Sequence, residues 1–287
     1  MRSLICLLFV SLVFFACDQE EKEPSRIQVG DESDTANVSA EPRREVHPEF
    51  GKFFAEAGVE GSFLLYDSQE NAYLIWNPER CETPFIPAST FKIFNSLVAL
   101  ETGVIKDAND TISWDGVKRQ IPDWNQTHDL RSAIKYSVVW YYQEVARRIG
   151  EERMQKYIDS VGYGNRDIGG GIDQFWLNGN LRITQYQQVD FLRRLHRNDL
   201  PFSQRTMEIV KDIMTLKKTD DYVYRGKTGW GRRDTSSVGW FVGYLQKGEK
   251  TWFFATNIKM EGEKDLPKRT GITWDILHSL GLVEAEN

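Results

Sequence analysis

The strand-like runs of this chain lie at its two ends. "GSFLLYDS" and "AYLIWN", separated by "SQEN", come early, whereas "YVYRGKTGW", "SSVGWFVGYLQ" and "TWFFATNIKM" come only after residue 220. Between them stand "LRSAIKYSVVWYYQEVARRIG", "EERMQKYIDSVG" and "QYQQVDFLRRLHRN", whose apolar residues recur at spacings of 3 and 4, and "TGITWDILHSLG" closes the chain. Short β-rich runs bounded by turn residues predict strands, and the 3-and-4 spacing predicts helices. Strands, then helices, then strands, then a helix is the order of an α+β fold. The early pair predicts a hairpin, and one antiparallel sheet flanked by helices can hold all five strands. The expected layout is a sheet region over about 46–104 and 216–287, with an inserted, mostly helical region over about 105–215. A cleft between the two regions is the expected ligand site.

A chain of 287 residues, 40% hydrophobic, can bury a sizeable core, and no internal repeat suggests a solenoid. Its net charge of −6 and the lack of a long basic run exclude a surface built to track nucleic-acid phosphates. Residues 1–17, "MRSLICLLFVSLVFFAC", have a short apolar stretch that is brief for a bilayer span and fits a signal peptide. The polar, acidic segment 18–45 reads as a disordered linker, leaving 46–287 as the folded domain. The "AC" ending resembles a bacterial lipoprotein signal, with Cys17 lipidated after cleavage and the domain held in the periplasm. Phe14 and Phe15 depart from that pattern, and an ordinary secretory signal or an uncleaved anchor is the alternative.

Cys6 and Cys17 belong to the signal, so Cys81 is the lone cysteine of the domain and no internal disulfide is expected. "NPERCETPF" around it reads as a turn, without a cysteine–histidine signature. The four histidines show no ligand spacing, so no metal site is predicted.

"FIPASTFKIFNSL" places Ser89 and Lys92 one helical turn apart at the start of an apolar run that ends at Gly103. A serine hydroxyl becomes a nucleophile only with a base in reach, and a lysine serves as base only when burial lowers its pKa. The bland alternative is a helix start capped by Ser89, with Lys92 reaching outward. "SAIK", Ser132 to Lys135, repeats the spacing and shows how little it means alone. "KTG", Lys227 to Gly229, lies on a strand-like run and ends in a residue that permits close backbone approach.

Taken in order, "PASTFK" at 87–92, "YSVVW" at 136–140, "YGN" at 163–165, "FWL" at 175–177, "KTGW" at 227–230 and "LPKR" at 266–269 resemble the motifs of class D β-lactamases, the oxacillinase family. The resemblance covers about residues 48–283 and implies a β-lactamase/transpeptidase-like fold that takes small-molecule β-lactams and needs no cofactor beyond carbon dioxide. It implies that Ser89 is acylated by the antibiotic and that Lys92 is carboxylated to act as general base, with the Trp176 indole holding the carbamate. Ser137 and Lys227 would relay a proton to the leaving nitrogen. The backbone N–H groups of Ser89 and Trp230 would receive the oxyanion. Thr228 and Arg269, beside Gly229, would hold the substrate carboxylate. Val139 and Leu177 would pack over the carbamate, or serve only as core. Arg269 has a rival reading as part of a solvated turn, "EGEKDLPKRT", and Tyr163–Asn165 are given no chemical step. "SAIK" lies just upstream of the Ser137 motif and becomes incidental. Val139 replaces the asparagine of class A enzymes, and no E-x-x-L-N stretch supplies a separate glutamate. Substrate range is expected to follow the loops "IPDWNQTHD" and "GWGRRDTSS". The alternatives are a β-lactam sensor that stays acylated and a penicillin-binding peptidase acting on peptidoglycan.

Overall fold

The computed structural model describes residues 41–233 and 236–284. The readings of the signal, of Cys17 and of most of the linker therefore lie outside the described residues, as does part of "GWGRRDTSS". Seven strands form one sheet in the order β1-β3-β2-β9-β8-β7-β6: β1 Arg43–Val46, β2 Gly61–Asp67, β3 Ala72–Trp76, β6 Thr215–Lys218, β7 Val223–Arg233, β8 Ser236–Lys247 and β9 Lys250–Lys259. The predicted hairpin is β2–β3, and β9 joins β2 to β8, so both ends of the chain meet in the middle of the sheet. Two short strands, β4 Thr111–Ile112 and β5 His128–Asp129, pair apart from it.

Two edges differ from the expectation. β1 pairs in parallel with β3, so the sheet is mixed, and its first three residues fall inside the segment 18–45 read as linker. A four-residue strand with every side chain exposed carries no alternation to betray it. β6 is likewise short and mostly exposed.

Helices cover both faces. α1 Gly51–Ala57 and α9 Lys268–Ser279 pack with Phe63, Phe241, Phe254 and Ile258 in one core. The larger core holds α3 Lys92–Glu101, α5 Val139–Ile149, α6 Glu151–Val161 and α7 Gln185–Arg197, with α2 Pro78–Glu82, α4 Leu130–Lys135 and α8 Gln204–Ile213 around it. In α3 every residue from Lys92 to Leu100 is buried. Two of its polar side chains donate to backbone carbonyls: Ser96 Oγ to that of Lys92 at 2.8 Å, and Asn95 Nδ2 to that of Tyr142 on α5 at 3.2 Å.

The segment "LRSAIKYSVVWYYQEVARRIG" is two helices, not one. α4 opens with a capping box between Asp129 and Ser132, and the chain turns at Ser137, whose φ of +56° is rare for a side-chain-bearing residue. Among the described residues no helix is long and apolar enough to cross a membrane, and no group of three or more His, Cys, Asp or Glu could hold a metal.

Candidate active site

The turn that carries Ser89 is built from its neighbours. A 3-10 turn, Ala88–Phe91, runs into α3, and Ala88 just before Ser89 has a φ of +50°. Three contacts fix that conformation. Ala88 N–H donates to the Trp176 carbonyl at 2.9 Å, and Thr90 Oγ1 donates to the Pro87 carbonyl at 2.7 Å. Gln188 on α7 donates to Thr90 Oγ1 at 2.8 Å. β7 packs against the same turn: a Cβ on Gly229 would lie 3.1 Å from the Pro87 oxygen and 3.1 Å from Thr90 Cγ2. Gly229 is thus small to seat a strand against the nucleophile turn, a different reason from the ligand approach expected of it.

Lys92 Nζ donates to Ser89 Oγ at 2.8 Å. The lysine is fully buried, its amine lies 5.3 Å from the centre of the Tyr142 ring, and it has no ion pair among the described residues. Burial, and then the charge of Lys227, hold its pKa well below the ordinary lysine range. The amine is buried and turned toward Ser89 rather than outward, so the snorkelling alternative is set aside.

Across from it, Lys227 Nζ donates to Ser137 Oγ at 3.1 Å and to the Thr228 carbonyl at 3.0 Å. Burial, then the charge of Arg269, push its pKa down to about 7. The turn at Ser137 is what brings the hydroxyl to this strand. Arg269 is buried on α9, not part of a solvated turn: its Nη1 donates to the Gly229 carbonyl at 2.6 Å and its Nε to that of Leu266 at 2.9 Å. Burial lowers its pKa to about 10. The guanidinium is therefore fixed one residue from Thr228. Trp230 Nε1 donates to Ser237 Oγ at 2.8 Å.

Trp176 is wholly buried and stacks on Phe91, with ring centres 5.5 Å apart. Its indole Nε1 is shielded from solvent without a hydrogen-bond partner among the described residues, a costly state for a donor. Leu177 is partly buried on the larger core, and Val139 opens α5 two residues after Ser137. Tyr163 is buried among Phe91, Phe94 and Phe191, and Asn165 Nδ2 donates to the Asn180 carbonyl at 3.0 Å, both architectural roles.

Ser132 serves as the second half of the α4 capping box, and Lys135 is exposed, so "SAIK" takes no part. Cys81 is buried in the short helix α2, where burial pushes its thiol up to about 12 and leaves it inert. Ala88 and Tyr142 were not singled out from sequence. Nothing local marks an alanine for positive φ, and Tyr142 meets Lys92 only through tertiary packing.

A family model described as the penicillin binding protein transpeptidase domain matches residues 61–278. Beta-lactamase OXA-5 of Pseudomonas aeruginosa is 43% identical over 237 residues, which are 82% of this chain and 89% of that protein. The crystal structure of the class D beta-lactamase YbXI from Nostoc is 50% identical, with a TM-score of 0.81 over 83% of this chain and all of that one. Regulatory protein BlaR1 of Bacillus licheniformis is 37% identical over 76% of this chain but only 36% of its own length.

Proposed function

Because the chain belongs to the class D β-lactamase family, we propose that it hydrolyses β-lactam antibiotics through a Ser89 acyl-enzyme, with Lys92 carboxylated as the general base. It is a serine β-lactamase with the transpeptidase-like α+β fold. The observation that carries the mechanism is the pairing of a fully buried Lys92 amine, 2.8 Å from Ser89 and with its pKa held well below the ordinary lysine range, with a buried indole N–H that has no hydrogen-bond partner among the described residues.

An uncharged amine adds carbon dioxide and releases a proton, and the Trp176 N–H suits one oxygen of the product. When formed, the carbamate supplies an anionic base at Lys92 for both the acylation and deacylation stages. The remaining work belongs to the chain's own groups. Ser89 Oγ attacks the lactam carbonyl, and the N–H groups of Ser89 and Trp230 receive the developing oxyanion, since β7 is packed against the nucleophile turn. Lys227 orients Ser137, whose hydroxyl gives its proton to the departing nitrogen and recovers one from the lysine. A Lys227 pKa of about 7 leaves both protonation states accessible near neutrality. Thr228 and the anchored Arg269 fork take the substrate carboxylate. Val139 and Leu177 flank Ser137 and Trp176, where they would restrict water.

The deciding experiment follows a chromogenic β-lactam with and without bicarbonate. Sustained turnover raised by bicarbonate and abolished by Lys92→Ala is expected. A single stoichiometric burst in both conditions would overturn the hydrolase and make the protein a sensor or an acylated cell-wall peptidase. Export through residues 1–17, with Cys17 lipidated on the periplasmic side, is proposed on the N-terminal sequence alone.

A further inference from the structure

Behind α7 lies a cleft of about 400 Å³ that none of Ser89, Lys92, Ser137, Lys227 or Arg269 lines. Its walls carry Arg44 from β1, Tyr73 from β3, and Tyr186, Asp190, Arg193 and Arg194 from α7. Three guanidiniums there face two carboxylates, Glu41 and Asp190, on a protein whose net charge is −6. Glu82 on Arg44 and Asp190 near Arg194 offset two of the three, so the attraction for an anion centres on Arg193.

The arginines are not equally engaged. Arg44 pairs with Glu82 at 3.1 Å and lies 4.7 Å from the centre of the Tyr186 ring. Arg194 lies 3.8 Å from Asp190 and donates to the Val161 carbonyl at 2.7 Å. Arg193 has no ion pair among the described residues. Its guanidinium carbon lies over the Tyr66 ring, 3.6 Å from the ring centre. Among the described residues Nη1 donates to the Tyr73 hydroxyl at 3.3 Å, and the buried Nε has no partner. Stacking fixes the plane of this fork while leaving most of its donors unengaged.

We propose that this cleft binds a phosphate ester, at a site separate from that for β-lactams. A carboxylate's two oxygens are used up by one arginine fork, whereas a phosphate has a third oxygen for a second guanidinium. The tyrosine walls and the volume suit the carbon skeleton that an ester carries beyond its phosphate. The same chemistry is offered by a soluble sugar or glycerol phosphate and by the headgroup of an anionic phospholipid.

The test titrates glycerol 3-phosphate and the short-chain lipid dihexanoyl phosphatidylglycerol into the full chain by calorimetry. Saturable one-to-one binding is expected, weakened about tenfold or more by Arg193→Ala while β-lactam turnover is unchanged. Arg193→Lys keeps charge over Tyr66 but removes the fork, and is expected to show the same loss should the alanine variant fold poorly. Tighter binding of the lipid assigns the site to a headgroup, and equal or weaker binding assigns it to a soluble ester. No saturation with either probe, affinity unchanged in both Arg193 variants, or displacement of the probe by acylation of Ser89 would overturn the proposal.

Discussion

The backbone carbonyl of Trp176 accepts the amide hydrogen of Ala88 at 2.9 Å, so the residue whose indole is proposed to hold the carbamate also holds the turn that carries Ser89. The two roles are separable, because the first needs the indole N–H and the second only the main chain.

Trp176→Phe tests that separation. Phenylalanine keeps the stack on Phe91 and the carbonyl contact but removes the donor. Loss of one buried hydrogen bond to an anion corresponds to about 1.5–3 kcal/mol, so carboxylation of Lys92 should weaken roughly 10- to 100-fold. Carbon-13 NMR with labelled bicarbonate is expected to show a diminished carbamate signal, and high bicarbonate should restore turnover. A variant with wild-type signal at low bicarbonate would remove Trp176 from this role.

Lys227 gives the protein a pH-dependent stability. The native state holds it uncharged down to about 7, whereas the unfolded chain keeps a lysine charged up to its ordinary value of 10.5. Unfolding therefore takes up a proton between those limits, and stability rises with pH across the window. Urea midpoints in bicarbonate-free buffer should increase from pH 7 to pH 9, and Lys227→Met should flatten that rise. An equal slope in the variant would show that the lysine is charged in the native state.

Arg269 is expected to act mainly on substrate affinity. Arg269→Ala should raise KM by roughly 10- to 100-fold, with a smaller change in kcat, since the carboxylate the fork is proposed to hold is present in ground and transition states alike. Arg269→Lys should fall between, keeping charge without the fork. Steady-state kinetics on one penicillin decides it. A loss confined to kcat would mean that the arginine only shapes the strand through the Gly229 carbonyl.

Gly229→Ala probes the seat of β7. The added methyl would press on Pro87 and Thr90 at 3.1 Å, so the strand or the turn has to yield. A cost of about 1–3 kcal/mol in stability is expected, as for an overpacked core. A slowed acylation burst should accompany it, because the Trp230 N–H moves with the strand. Unchanged burst kinetics would show that the packing is loose enough to absorb a methyl.

Much of the site was legible because its parts are short and local. Ser89 and Lys92 share one helical turn, and Lys227 to Gly229 share one strand. The β2–β3 hairpin announced itself through two β-rich runs and a polar turn. What stayed hidden depends on distant partners. Arg269 is legible only through the family motif, since its charged stretch alone also reads as solvent-facing and contact with a carbonyl 40 residues away is what buries it. The break at Ser137 carries no glycine or proline, since a backbone at +56° there is imposed by packing rather than by residue type. β1 escapes notice because an exposed edge of four residues has no buried face to pattern.

The burial of α3 on every side has a further bearing on how this enzyme wears out. Segments with many buried contacts open only when the whole domain opens, whereas exposed loops fray on their own. The nucleophile is attached to the innermost helix, so its backbone amides should exchange with deuterium as slowly as any in the molecule. Thermal loss of activity is then expected to follow melting of the whole domain, with no earlier stage of its own.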